Sequence, residues 1–180
     1  ALLEKLLAEA PRDAYARRAR VDAALAGGAR GQALERLDRA LASDPAAMTS
    51  LFPVRRALAG EDDLTPWRLD GAAAIEAFEA SGRSYEAPQV LVLDYQAVRV
   101  YPDGTARSLI HQIYKVQSEE AVDALGEFSP PDGADLLTLR TIKADGRRLE
   151  PDAIGGKSTI SLPSLAVGDY VEHEHVTTMA

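Results

Sequence analysis

Near the C-terminal end of the 180-residue chain, Glu172, His173, Glu174 and His175 follow one another in the stretch "LPSLAVGDYVEHEH". Imidazole and carboxylate groups are ligands for zinc or copper, and they are also the commonest proton-transfer groups. The spacing restricts what they can do together. The flanking residues, Tyr170, Val171, Val176 and Thr177, have the β-branched and aromatic character of a strand. Successive strand side chains point to opposite faces. His173 and His175 therefore share one face with Val171 and Thr177, while Glu172 and Glu174 share the other with Tyr170 and Val176. The four groups cannot converge on one ion. An H-x-H pair on one face can hold zinc or copper if a third ligand joins it, and His111 is the one other histidine. The preferred reading is packing, with His173 and His175 as medium-sized, half-buried rings on a sheet.

Other motifs are weaker. "IGGKST", Ile154 to Thr159, resembles the end of a phosphate-binding loop. The first glycine of G-x-x-x-x-G-K-[ST] would fall on Pro151, however. The segment also runs into "TISLP", a strand pattern, where phosphate binding requires a helix N-terminus. No G-x-S-x-G elbow is present to suggest an activated serine. Glu119-Glu120 and the pair Asp132 and Asp135 read as helix-start and turn charges. The chain has no cysteine, which excludes disulfides, thiolate metal sites and a cysteine nucleophile within it. No catalytic, cofactor-binding or metal residue is selected, and no cofactor is expected.

The elements that must position these groups fall into two grammars. Residues 1–60 are rich in Ala, Leu and Arg at helical spacing and carry a net charge of +3; residues 61–180 carry −11. The acidic part repels phosphate backbones, so nucleic-acid binding is not expected, and the arginines of the first part read as a solvated helical surface. Predicted helices are Leu2–Ala10, Ala14–Ala26, Gly31–Ala42 and Ala46–Ala59, broken at Pro11, Gly27-Gly28 and Asp44-Pro45. A shift of 34 residues superposes Leu3 on Leu37, Leu7 on Leu41, Ala8 on Ala42 and Pro11 on Pro45. Residues 61–88 read as a linker with a short helix, Gly71–Ala80, capped by Asp70. From Gln89 the pattern is strands: "VLVLDYQAVRVY" and "TARSLIHQIYKV" around a Pro102-Asp103-Gly104 turn, then a helix after Ser118, then "ADLLTLRTI", an Asp145-Gly146 turn, "STISLP" and "YVEHEHVTT". The expected fold class is α+β: antiparallel helical hairpins, then a mainly antiparallel β-sandwich over residues 89–180, expected to be incomplete at its end. No run of apolar residues approaches the ~20 needed to span a bilayer.

The pattern "GQALERLDRALASDP", with Gly28, Ala33, Leu37, Ala40 and Pro45 at the small, small, large, small and Pro positions, resembles a tetratricopeptide repeat. Such repeats bind proteins or peptides in a groove, or serve as a spacer. "LVLDYQAVRVYPDGT", "IHQIYKV", "LLTLRTIKADGRRLEP" and "GGKSTISLPSLAVGDYVEHEH" resemble, in that order and over about residues 70–180, the bacterial domain of unknown function 3857. His173 and His175 stand where such domains often have tyrosine. The resemblance implies a non-catalytic β domain before a transglutaminase-like, papain-like cysteine core, which would be its partner further along the same polypeptide. It also implies a bacterial envelope or exported location. The alternatives are an interaction module that uses the helical repeats and, less favoured, a metal-binding protein using His173 and His175. A strand ending at "TTMA" is expected to leave a sheet edge unpaired.

Overall fold

The computed structural model describes residues 2–44, 48, 51–60, 63–101, 104–151 and 158–179. The fold is α+β, with helices first and a mostly antiparallel sheet after them. The chain divides into two compact units. One comprises residues 1–66, 99–106 and 178–180; the other comprises residues 67–98 and 107–177. Among the described residues no helix is long and apolar enough to cross a membrane.

The first unit is helical: α1 (Leu2–Glu9), α2 (Ala14–Ala26), α3 (Arg30–Ser43) and α4 (Phe52–Ala59). Asp13 caps α2 by accepting from the Ala16 amide at 2.7 Å, which satisfies a donor that the helix cannot. Gly28 follows α2 with φ of 69°, a left-handed turn that glycine adopts without strain. The chain then reverses, and α2 and α3 close on a core of Val21, Leu37, Ala40 and Leu41, joined by Met48, Leu51 and Phe52. The small residues Ala33 and Ala40 are buried, as is Leu37. The fourth helix begins at Phe52 rather than at Ala46. Pro53 sits in its first turn, where a missing N–H is harmless; Ala46 itself lies outside the described residues. Tyr101 packs on Phe52, with ring centroids 6.1 Å apart.

The second unit holds α5 (Gly71–Ala80), α6 (Glu119–Leu125) and most of the strands. Asp70 caps α5 through the Ala72 amide at 2.9 Å. Ser118 caps α6, with Glu119 and Glu120 in its first turn, where the helix dipole favours anions. The strands are β1 (Gln89–Val100), β2 (Ala106–Val116), β3 (Glu127–Phe128), β4 (Asp135–Ile142), β5 (Arg148–Leu149), β6 (Ile160–Ser161) and β7 (Tyr170–Met179). The main sheet runs β1-β2-β7-β4-β5, and β3 pairs with β6 in a second, two-stranded sheet. The β1–β2 turn includes Gly104; its Pro102 and Asp103 lie outside the described residues.

The strand order corrects one expectation. The body of the last strand, Tyr170 to Val176, is not an edge. It inserts between β2 and β4 at the centre of the sheet, and β1 and β5 are the edges. Both faces of this central strand are covered. Ile113, Ile142 and Tyr170 form one core with Ala74 and Ile75 of α5. Val116, Leu139 and Val171 form the other with Ala121 and Val122 of α6, Phe128 and Leu162. All residues from Tyr170 to Val176 are buried.

Leu37 is fully buried in the helical core. Replacing it with alanine should cost about 2–5 kcal/mol, read as a loss of the helical circular dichroism signal at lower urea. The same change at the exposed Leu2 should leave that transition within ~0.5 kcal/mol of the parent.

Candidate functional site

The polar stretch of β7 becomes two separate sites, one on each face of the sheet. On the first face, Glu172 is 2% exposed. Its Oε1 lies 2.9 Å from Nε2 of His111, and its Oε2 accepts from Arg140 Nε at 2.6 Å. The β4–β7 register puts Arg140 directly opposite Glu172. An ionised carboxylate only accepts hydrogen bonds, so Nε2 of His111 carries the shared proton. Burial pushes the Glu172 carboxyl up, but the hydrogen bonds from His111 and Arg140, with their charge, outweigh it and hold the group below its ordinary value.

Two residues along, Glu174 is equally buried. Arg68 donates Nε to both of its oxygens at 2.9 Å and also donates Nη2. Thr138, its cross-strand neighbour after a register shift in β4, adds a hydroxyl at 3.3 Å. At the start of the strand the Tyr170 hydroxyl donates to Glu79, which Lys115 holds at 2.6 Å. Burial, then the Glu79 carboxylate, raise the Tyr170 phenol. The bond from Lys115, then that from Tyr170, lower Glu79.

Gly71 completes the enclosure of Glu172. A Cβ on Gly71 would collide with Glu172 Oε1, and would fall 2.9 Å from Glu172 Cδ and 3.1 Å from Ile113 Cδ1. Only a residue without a side chain lets the first turn of α5 come this close. The approach also brings the positive end of the helix dipole to a buried anion.

The second face carries aromatic contacts instead of charge. His173 and His175 are 7% and 4% exposed, deeper than the half-buried rings expected, because α6 and the β3–β6 pair cover this face of the central strand. Their ring centroids lie 5.6 Å apart and nearly parallel. Phe128 is 4.7 Å from His173, and Tyr114 stacks at 6.2 Å. The Nδ1 atoms of both histidines are buried with no hydrogen-bond partner among the described residues. Burial, then the neighbouring His175 and His111, push His173 down to about 4; burial also lowers His175. Both rings are therefore neutral at pH 7.

His111 does not join this pair. It bonds to Glu172, whose side chain leaves the opposite face of β7, so the three imidazoles do not converge. Among the described residues no group of three or more His, Cys, Asp and Glu is placed to hold a metal ion. Gly156 and Lys157 lie outside the described residues, while Ser161 and Ile160 pair as strand β6 with β3, so a strand comes after the glycine–lysine segment. Thr159 donates to Glu127 at 2.7 Å. Asp132 lies in a turn, and Asp135 starts β4 opposite Val176.

Three features were not legible in the motif: Arg140 and His111 as partners of Glu172, Arg68 as partner of Glu174, and Gly71. Asp169 is a fourth. It is buried, accepts from the Ala144 and Ala166 amides at 3.2 and 2.9 Å and pairs with Lys143. In this way it ties the "SLAVGD" turn to the end of β4. The local signal was an aspartate directly before a strand, a position that often serves turns.

No family model matches the chain, and no curated protein matches it. A solved structure described as a "putative protease" from Parabacteroides distasonis is similar to it with a TM-score of 0.43 and 12% identity, over 52% of this chain and 23% of that one. A likeness of that extent defines neither fold nor function.

Two outcomes follow from the geometry. Gly71→Ala would favour the helix by propensity alone, yet here it should destabilise by about 1–3 kcal/mol, since the Glu172 carboxylate is held by two partners and cannot step aside; urea unfolding of the two proteins measures this. His173 has an ordinary value of 6.5 when unfolded and about 4 when folded, so between those values the unfolded chain binds more protons. Stability should fall as pH drops from about 6.5 to about 4, by on the order of 3 kcal/mol, and this part of the loss should level off below. The lowered Glu172 also loses its contribution on acidification, through the carboxylate range. In His173→Phe the decline above the carboxylate range should shrink, as read from unfolding midpoints across pH.

Proposed function

We propose that this chain is a non-catalytic accessory domain of a larger bacterial transglutaminase-like protein. It would position or shield a papain-like cysteine core further along the same polypeptide, in the envelope or an exported compartment. The observation that carries the reading is the closure of β7. Each group of that strand suited to chemistry is already engaged inside the sheet: Glu172 by Arg140 and His111, Glu174 by Arg68, His173 and His175 within the stack of Phe128 and Tyr114. A general base must reach a substrate proton, and a metal site needs converging ligands with an open position. Groups enclosed in this way serve a rigid platform better than a reaction.

The lack of cysteine supports the same division of labour. A papain-like reaction needs a thiolate, and the 180 residues contain none. The sheet signature, from the β1–β2 hairpin through the Lys143–Asp169 tie to β7, gives such a core a fixed surface.

The coding sequence on the C-terminal side provides the test. A Cys, a His and an Asp in papain-like context within the next several hundred residues are the expected result. A reading frame that closes without them overturns the proposal.

A further inference from the structure

Four arginines of the helical unit line one pocket. Arg17 and Arg20 of α2 and Arg36 and Arg39 of α3 line a volume of about 280 Å³, together with Leu7 of α1 and Pro11. Among the described residues no acidic side chain lines it. Arginine stays protonated in proteins, so this concentration of charge is not relieved by losing a proton.

The charges are only partly met. Arg17 donates Nε to the Pro11 carbonyl at 2.7 Å and Nη2 to the same oxygen, and its Nη1 is buried with no hydrogen-bond partner among the described residues. Arg36 donates to the Arg20 carbonyl at 3.1 Å and to the Gln32 amide oxygen at 3.4 Å. These acceptors are neutral. Arg20 pairs with Glu4 at 2.8 Å, and Arg39 pairs with Glu35, both of these side chains being more than half exposed. Among the described residues these four cations thus share two carboxylates, which leaves an excess of two positive charges. Exposed pairs of the Arg39–Glu35 kind are weak and readily exchanged.

We propose that this pocket binds a small anion bearing carboxylate or phosphate groups. Arg17, Arg36 and Arg39 supply the charge-assisted hydrogen bonds, and Leu7, Pro11 and Ala40 contact the body of the ligand. Guanidinium forks match both oxyanions bidentately. The volume is near the lower bound of about 300 Å³ for small-molecule sites, which suits a compact metabolite-sized ligand rather than a folded partner. All of the residues that line it belong to the helical unit.

Isothermal titration of the whole 180-residue chain at constant ionic strength tests it, with citrate, inorganic phosphate and a polyglutamate peptide as separate probes. Saturable binding of citrate or phosphate tighter than about 1 mM is expected, weakened at least tenfold in Arg36→Gln/Arg39→Gln. Citrate alone identifies a carboxylate ligand, phosphate alone a phosphorylated one, and either supports the site. If the double variant loses its helical circular dichroism, the exposed Arg39→Gln alone is titrated and should still weaken binding. No saturable binding of either small anion, binding of the peptide alone, or unchanged affinity in the variants overturns it.

Discussion

The sheet is organised around one buried carboxylate. Glu172 sits near the start of the central strand, and its solvation has been replaced by Arg140, His111 and the first turn of α5. A carboxylate removed from water without such partners would cost several kcal/mol. Three elements must therefore arrive together: β4 with its arginine, β2 with its histidine, and α5 with a glycine at its start. Breaking any one of them leaves a buried charge uncompensated. The same constraint repeats at Glu174 with Arg68 and Thr138, and in reduced form at Tyr170 with Glu79 and Lys115.

This arrangement explains why a strand that reads as polar lies in the interior. Between β2 and β4, with α5 on one face and α6 and the β3–β6 pair on the other, β7 has no solvent face from Tyr170 to Val176. Alternation along the strand keeps the two chemistries apart. Acids go to the face where arginines wait, and imidazoles go to the face lined by Phe128 and Tyr114. The neutral histidines act there as aromatic rings, at the cost of two buried Nδ1 atoms without partners among the described residues.

Much of the local structure was legible because local rules decide it. Asp70 and Ser118 cap helices whose bounds follow from capping and from the residues that end them. The period-2 alternation alone separated Glu172 from His173. The strand order was not legible, because nothing in a strand's own composition says that the last strand pairs between the second and the fourth. The register of β7 with β4 runs from Tyr170 to Val176, so the edge expected at "TTMA" does not extend to the body of the strand. The two-residue β3 was also missed, since Glu127-Phe128 is too short to show alternation. Partners 32 and 61 residues away, Arg140 and His111, are set by register. Gly71 reads as an ordinary helix start until the carboxylate above it is placed. In the helical unit, each arginine taken singly reads as a solvated charge, and only the packing of α2 against α3 brings four of them to one pocket.

The coupling between Glu172 and Arg140 is central, and a double-mutant cycle measures it directly. Arg140→Met, Glu172→Gln and the double variant would be unfolded in urea beside the parent. If the carboxylate depends on its cross-strand arginine, Arg140→Met alone costs about 3–5 kcal/mol, and much of that loss is recovered when Glu172→Gln is added, giving a coupling well above the ~0.5 kcal/mol scatter of independent sites. Strictly additive effects would contradict the claim that this pair holds the sheet together.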